Sequence, residues 1–313
     1  MADELLLMIE LAAQTTPECI KPTLKEACDK FLDQKKAQHL SETSLSKYRL
    51  LFERLTEFAR QQNLVELTDV SPDVLNRFCQ TWTFSATTAN RRIEGLRSFF
   101  RFCIDCGWIT VNSARALKRQ RPDTAPREPF TEEEVKRILS ACEQYPRRGG
   151  VEIARLKAFV RLLLETGLRI GDAVRLERRD VVDGRLRTRT AKTGIHVSVP
   201  LTLQLADRLN GVIGTSSCFY FWSGAGKLKS AIGDWQRSLS RLFKLAAVPN
   251  ACAHRFRHTA AKRLLMSGIP IERVAVLLGH SSPTITMKHY ANWIPERQEQ
   301  LEADVRLVQQ KFA

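Results

Sequence analysis

The sequence predicts a mainly α fold with a small β-hairpin or sheet (α+β), arranged as a helical domain followed by a mixed domain. Apolar residues recur every three or four positions through most of the chain, a spacing that is typical of packed amphipathic helices. Residues 183–201 instead alternate apolar and polar side chains between turn signals, as strands do. A length of 313 residues allows about two domains with substantial cores.

The first domain is predicted to span residues 22–118 as a compact unit of four or five helices. Ser71 is the predicted N-cap of one helix, with Pro72 at its first helical position. A long helix follows and ends at Gly107. Residues 1–21 form an acidic N-terminal extension, which is either a frayed end or an interaction helix.

Residues 119–127 are predicted to be a linker. Pro122 and Pro126 disfavour helix, and the surrounding segment LKRQRPDTAPRE is basic. Its cations either follow a phosphate backbone or belong to a solvated tether, and the sequence leaves both interpretations open.

The second domain is predicted to span residues 128–298. Thr131 and Glu134 form a capping box at the start of its first helix. The next helix stops at Gly167, so Arg169 lies just beyond a helix end.

Residues 183–201 should then form a hairpin, with Lys192 at its tip beside the turn signal Thr193-Gly194. Helices return from Asp234 onward, and residues 299–313 form a tail helix.

The charge of the chain favours a polyanionic partner. The 49 Lys+Arg residues against 34 Asp+Glu give a net charge of +15, and each phosphate that a protein neutralises releases condensed counterions. Nucleic acid is the leading partner, and a merely soluble basic protein is the alternative. The sequence has no secretory leader pattern and no apolar run near the roughly 20 residues of a membrane helix, which predicts a cytoplasmic protein.

Cysteine usage also predicts a cytoplasmic protein. The eight cysteines lack framework spacing, which indicates reduced thiols in a reducing compartment. Cys103 and Cys106 form a lone C-x-x-C without a second cysteine or histidine pair, so no metal or redox site is expected.

The later part of the chain contains a series of residues suited to attack on a phosphodiester. Such a reaction needs a nucleophile, cationic clamps, a base and an acid. His254 and Arg257 are three residues apart and His258 is four from His254, so a helix would bring them to one face. A lone histidine is usually structural, but paired polar residues on an apolar-packed helix make that interpretation weaker. The candidate catalytic residues are Arg169, Lys192, His254, Arg257, His280 and Tyr290.

Tyr290 is the candidate nucleophile. A tyrosine has a reference pKa of about 10, so it attacks poorly near neutral pH without a base or cationic neighbours. Arginines meet this need and also bind phosphate oxygens in pairs. His280 follows Gly279 at a helix end, and Tyr290 lies about two turns along the next helix.

Four segments together resemble the tyrosine recombinases of the phage integrase family. They are TGLRIGDAVRL, AKTGIHVSVPL, HRFRHTAA and LLGHSSPTITMKHYANW. The resemblance covers about residues 128–298 as a catalytic domain, and the helical unit before it resembles the SAM-like core-binding domain of the family. Asn112-Ser113 stands where the family often has Asn-Pro, which predicts a less rigid path into the linker.

The resemblance implies a mechanism. Tyr290 would attack a DNA phosphate, form a 3′-phosphotyrosyl link and release a 5′-hydroxyl, with His254 as base and Lys192 as acid. Arg169 and Arg257 would clamp the phosphate.

His280 would donate a hydrogen bond to a phosphate oxygen, and Asp172 would orient the site from behind. No metal or nucleotide cofactor is expected, because a transesterification stores the energy of the broken bond.

The resemblance also implies partners. The helical unit would clamp the opposite face of a duplex, with individual arginines as base readers, phosphate contacts or solvated charges. The candidate DNA-binding residues are Lys47, Thr87, Asn90, Arg91 and Arg92. Related proteins exchange a terminal helix between protomers, so a homotetramer on two double-stranded DNA sites is predicted. Alternatively, the tail packs on its own domain.

Three functions remain on sequence alone. Site-specific recombination or integration is favoured by the two-domain plan and the tail. A type IB topoisomerase-like relaxase would use the same chemistry, and a non-catalytic DNA-binding regulator is disfavoured because every expected catalytic position is filled.

Overall fold

The computed structural model describes residues 21–121, 128–146, 152–212, 216–290 and 295–311. The chain divides into two compact units between residues 125 and 126. Helices dominate, and a three-stranded antiparallel sheet supplies the β-structure, so the predicted mainly α fold with a small sheet is confirmed. Most of the predicted N-terminal extension and of the predicted linker lies outside the described residues. No helix within the described part of the chain is long and apolar enough to cross a membrane.

The first unit packs its helices around an aromatic core. Phe31 meets Phe52 and Phe99 edge to face, with ring centroids 5.5 and 5.8 Å apart, a geometry that aromatic pairs favour. Ser71 accepts a hydrogen bond from the N–H of Val74, which confirms the predicted N-cap. The helices are α1 (Leu24–Ala37), α2 (Glu42–Gln61), α3 (Pro72–Gln80) and α4 (Ala86–Asp105).

One face of α4 holds the chain that leaves the first unit. The amide of Asn90 donates to the carbonyl oxygen of Gln120 at 2.7 Å and accepts from its N–H at 2.8 Å. Arg97 donates to the carbonyl oxygen of Leu117 at 2.6 Å, and the amide of Asn112 donates to the carbonyl oxygen of Arg97 at 3.0 Å. Hydrogen bonds to α4 therefore hold the chain between Asn112 and Gln120, although the sequence predicts a less rigid path there.

The second unit is built around a helix that is buried on almost every side. Phe159 of this helix stacks on Trp235 with ring centroids 3.9 Å apart, and the apolar run around Phe159 reflects that burial. The capping box of Thr131 and Glu134 is present at the first helix, as predicted. In chain order the elements are α5 (Glu132–Glu143), α6 (Ile153–Thr166, the buried helix), α7 (Ile170–Val174), β1 (Val181–Val182), β2 (Arg185–Arg189), β3 (His196–Pro200), α8 (Leu203–Asn210), α9 (Leu228–Leu245), α10 (Ala253–Met266), α11 (Ile271–Leu278), α12 (Pro283–Tyr290) and α13 (Pro295–Lys311).

The sheet presents a hairpin to the helices that follow it. Asp183 and Gly184 join β1 to β2 with φ values of 52° and 67°, which suit a tight hairpin turn. The strands β2 and β3 pair Leu186 with Val199 on the buried face. The loop between β2 and β3 carries the predicted Lys192 tip.

Candidate active site

A tight turn after α6 positions Arg169. Gly167 ends the helix with φ +63°, and a Cβ at that position would lie 2.8 Å from Leu278 Cδ2 and 3.2 Å from Ala260 Cβ. Glycine therefore allows α10 and α11 to approach the turn closely. Arg169 follows at the N-cap of α7, and its Nη1 is buried with no hydrogen-bond partner among the described residues. A buried cationic N–H without a partner is suited to an anionic ligand.

Arg257 links three elements around the same turn. Its side chain is 2% exposed, and it donates to the carbonyl oxygens of Gly167 at 2.9 Å and Leu278 at 2.7 Å. Both carbonyls lie at the carboxyl ends of helices, where a cation is favourable. Burial, and then the neighbouring Arg169, lower the pKa of Arg257 to about 10. The guanidinium therefore stays charged at neutral pH beside a second arginine.

Two contacts fix the hairpin loop that carries Lys192. The carboxylate of Asp172 accepts a hydrogen bond from the N–H of Ala191 at 2.8 Å. The hydroxyl of Thr193 donates to the carbonyl oxygen of Gly279 at 3.2 Å. The Lys192 side chain itself is exposed. Within the described residues, no hydrogen bond or ion pair joins its ammonium to the other candidate catalytic residues, so the loop is anchored while the amine is left in solvent.

His280 is a neutral group beside both arginines. Its Nδ1 lies 2.6 Å from the hydroxyl oxygen of Thr286, and Thr286 is fully buried. Burial lowers the pKa of His280 to about 3, and Arg257 and Arg169 push it in the same direction. A neutral imidazole donates from one nitrogen only. If the threonine hydroxyl donates to Nδ1, then Nε2 carries the proton and can donate to a ligand oxygen.

Tyr290 closes the cluster from the last residue of α12. Its side chain is 2% exposed and packs with Ala261, Leu265 and Leu278. Burial raises the pKa of Tyr290, whereas the nearby Arg257 and Arg169 act to lower it. The phenol therefore lies within the electrostatic reach of both arginines.

His254 stands on the open side of the site. It is exposed near the start of α10, and it lines a cavity of about 450 Å³ together with Arg169. Its ring lies edge to face with the ring of His258, with centroids 4.7 Å apart. The structure thus brings Arg169, Arg257, His280 and Tyr290 together, with His254 at the rim and Lys192 on an adjacent loop.

Family profiles match both units of the chain. The phage integrase family profile matches residues 128–297, and the profile of the phage integrase N-terminal SAM-like domain matches residues 29–107. The chain belongs to the phage integrase family.

Known proteins of this family resemble the chain along most of its length. The tyrosine recombinase XerD of Mycobacterium leprae (strain TN) is 30% identical over 219 residues, which are 64% of this chain and 68% of that protein. A lambda integrase dimer bound to a COC' core site has a TM-score of 0.68 at 21% identity and covers 88% of this chain and 78% of its own. A lambda integrase tetramer bound to a Holliday junction has a TM-score of 0.68 at 20% identity, with coverages of 90% and 87%.

Membership of the phage integrase family establishes the class of enzyme. The chain is a tyrosine recombinase, which cleaves and rejoins DNA strands in site-specific recombination. The relatives are recombinases and integrases, so a topoisomerase-like relaxase is not favoured.

Three residues that support this phage integrase site are absent from the candidates that the sequence predicts. Thr286 contacts His280, Thr193 anchors the lysine loop to Gly279, and Arg175 pairs with Asp172 at 3.3 Å. The contacts of Thr286 and Thr193 join separate segments of the chain, whereas Arg175 pairs with a residue three positions earlier at the same short helix. Thr193 belongs to a predicted turn, but its partner Gly279 and the pairing of Thr286 with His280 are revealed only by the folded chain.

The five predicted DNA-binding residues of the SAM-like unit have different surroundings. Lys47, Arg91 and Arg92 line a cavity of about 500 Å³ between α2 and α4. Arg92 also stacks on Phe84, with its guanidinium carbon 3.8 Å from the ring centroid. Burial, and then Arg54, lower the pKa of Arg92.

Lys47 and Arg91 are exposed, whereas Thr87 is half-buried. The amide of Asn90 is engaged with the backbone of Gln120. DNA contact by these five residues stays a prediction, and the geometry leaves Lys47 and Arg91 the freest to make it.

Proposed function

We propose that this recombinase cleaves DNA with Tyr290 as nucleophile, on a phosphate held between Arg169 and Arg257. The position of Arg257 carries the proposal, because its guanidinium binds the carbonyl oxygens of Gly167 and Leu278, which precede Arg169 and His280 by two residues. Both arginines also act electrostatically on His280 and Tyr290. Two cations and a neutral hydrogen-bond donor around one phenol suit a phosphate whose negative charge grows during attack.

The two arginines differ in how they are held and in how they would bind a phosphate. Arg257 is held by two helix-end carbonyls, so its position is fixed before DNA arrives. The buried Nη1 of Arg169 has no partner among the described residues and is ready to bind a phosphate oxygen. A preorganised pair of this kind stabilises the transition state without moving at the moment of reaction.

Two groups beside the arginine pair, His254 and Lys192, carry out the proton transfers. His254 accepts the phenolic proton as Tyr290 Oη forms its bond to phosphorus, and Lys192 gives a proton to the departing 5′ oxygen as that bond breaks. His280 donates to a non-bridging oxygen, and Asp172 orients the lysine loop through Ala191. One phosphodiester replaces another, so the chemistry calls for neither a metal ion nor a nucleotide.

Tyr290 must change its exposure for this reaction. The side chain is 2% exposed among apolar neighbours, and an in-line attack needs the phenolic oxygen in contact with phosphorus. The ring therefore turns or shifts toward the two arginines when DNA occupies the site.

We also propose a homotetramer on two DNA sites in the cytoplasm, with the net charge of +15 favouring the DNA partner. Val305 and Val308 of α13 are 47% and 54% exposed, which leaves apolar surface for another protomer. A lambda integrase forms a tetramer on a Holliday junction. Sizing of the DNA complex after truncation at Arg297 tests this: loss of the tetramer supports exchange of the tail, and an unchanged tetramer supports packing of the tail on its own domain.

A selection for the DNA site makes the recombination itself testable. A pool of nicked duplexes with randomised sequence is captured covalently on the protein, and the most enriched duplex becomes the probe. A plasmid carrying two copies of the enriched sequence should recombine, while a plasmid without it should stay intact and supercoiled. Relaxation of the plasmid that lacks the sequence, with no recombination of the other, would instead support the topoisomerase-like alternative.

A further inference from the structure

A histidine outside the proposed catalytic set lies between two members of that set. The ring of His258 contacts the ring of Tyr290, with centroids 5.4 Å apart, and the ring of His254, with centroids 4.7 Å apart. His258 is half-buried, whereas His254 is exposed and Tyr290 is buried. It therefore occupies the boundary between the enclosed nucleophile and the open side of the site.

The helix α10 explains this placement. Residues three or four positions apart share one helix face, and His254, His258, Ala261 and Leu265 follow one another in this way. Ala261 and Leu265 belong to the apolar cluster that surrounds Tyr290. This face of α10 therefore carries the exposed ring of His254 first and the half-buried ring of His258 next. It ends with apolar side chains that pack against Tyr290.

We propose that His258 is a positioning residue for the cleavage reaction. Its ring packs against Tyr290 and sets the direction in which the phenol leaves its apolar surroundings toward the phosphate. The same ring holds the imidazole of His254 edge to face. This inference rests on the proposed role of Tyr290. A misplacement of a reacting atom by about 1 Å can cost about 100-fold in rate, so loss of this packing has a measurable effect.

The nature of the contacts defines which substitutions matter. Because His258 acts through the faces and edges of its ring, another flat ring preserves the function. His258→Phe should therefore retain the packing against Tyr290. His258→Leu fills similar space without a flat ring, and His258→Ala leaves a gap.

The test measures the rate of covalent adduct formation on the enriched nicked duplex, with protein in excess, alongside DNA affinity and thermal unfolding. We expect His258→Ala and His258→Leu to form the adduct roughly 10- to 100-fold more slowly at saturating protein, with DNA affinity within about twofold of wild type. His258→Phe should stay within about threefold of the wild-type rate. His39→Asn, at an exposed histidine of the first unit with φ 56°, is the matched control and should match wild type.

Two results would overturn the inference. If His258→Leu keeps the wild-type rate, the ring does not position the nucleophile. If His258→Phe is as slow as His258→Ala, ring packing is not the function, and the imidazole takes part in proton transfer instead. A wild-type protein that forms no adduct, or an adduct that persists in Tyr290→Phe, would contradict the proposed function and not this inference alone.

Discussion

The carboxylate of Asp172 accepts a hydrogen bond at 2.8 Å from the backbone N–H of Ala191, the residue that directly precedes Lys192. Asp172 is 2% exposed and pairs with Arg175 at 3.3 Å. Arg175 in turn donates to the carbonyl oxygen of Arg189. The short helix after the Arg169 turn therefore holds the loop that carries Lys192, and one buried carboxylate connects the proposed phosphate clamp to the proposed acid.

This connection predicts a specific defect in Asp172→Ala. The lysine loop would lose one of its two anchors, so cleavage should slow by roughly 10- to 100-fold because protonation of the 5′ oxygen becomes inefficient. A duplex with sulfur in place of the bridging 5′ oxygen should restore most of the rate, since a thiolate departs without a proton. Lys192→Ala should show the same rescue. Equal losses on the oxygen and sulfur substrates would show that Asp172 does not act through the acid.

Rescue should be absent from a variant that damages the clamp. Arg257→Ala removes a cation from the proposed phosphate site and leaves the carbonyl oxygens of Gly167 and Leu278 without their donor. Both substrates should therefore react slowly with this variant. Restoration of its rate by sulfur would contradict the division of roles between Arg257 and Lys192.

Gly279 offers a second test of the lysine loop. A Cβ on Gly279, which has φ +63°, would lie 2.8 Å from Thr190 Cγ2 and 2.9 Å from Val197 Cγ2. Gly268 has φ +76° with nothing within 4 Å of an added Cβ, so Gly268→Ala carries similar backbone strain without the clash. We expect Gly268→Ala to lower the free energy of unfolding by about 1 kcal/mol and Gly279→Ala by about 2–4 kcal/mol.

The two glycine variants should also differ in activity. Urea unfolding measures the stabilities, and adduct formation below the unfolding transition measures the activity. Gly279→Ala should cleave more slowly because the loop anchored at this residue is displaced, while Gly268→Ala should cleave like wild type. Equal stability losses in the two variants would rule out the steric contact as the cause.

Thr286 is predicted to support His280. In Thr286→Val the shape is kept but Nδ1 of His280 loses its partner, so cleavage should fall roughly 10-fold, with a stability loss of about 1–3 kcal/mol. Thr284→Val, at an exposed threonine two residues earlier in α12, should change neither property. Adduct rates and thermal unfolding of the two variants make the comparison. A wild-type rate in Thr286→Val would exclude a contribution of this hydrogen bond to cleavage.

His280 should remain neutral well below neutral pH. Its pKa in the folded chain is lowered to about 3, whereas an unfolded histidine titrates near 6.5. Between these values the unfolded chain binds more protons, so this residue makes stability fall as pH drops from about 6.5 toward about 3, with no such effect at higher pH. Imidazole nitrogen NMR at pH 5, assigned with His280→Gln, should show a neutral ring. A protonated His280 at that pH would contradict the proposed environment.

Local sequence signals predict the residues that end or begin elements. Gly167 before Arg169, the Thr193-Gly194 turn after Lys192, and Gly279 before His280 all mark the boundaries that the structure contains. These signals work because a left-handed backbone conformation strongly favours glycine. These predicted boundaries place Arg169 and His280 just after helix ends and Lys192 in a hairpin loop.

Contacts between elements could not be predicted in this way. The burial of Tyr290 and the position of His258 between Tyr290 and His254 depend on how α10 and α12 pack. In the first unit, Asn90 is of a residue type that often hydrogen-bonds to bases. Its amide instead binds the backbone of Gln120, thirty residues later. Tertiary packing decides such partners, and neither periodicity nor capping signals contain that information.

The most direct test of the account is the site of covalent attachment to DNA. The wild-type protein should form an adduct with the enriched nicked duplex, and peptide mapping should locate a phosphotyrosyl link at Tyr290. Tyr290→Phe should form no adduct, while Tyr220→Phe, at another buried tyrosine of the second unit, should form it normally. Persistence of the adduct in Tyr290→Phe, or its location on another residue, would contradict the assignment of Tyr290 as the nucleophile.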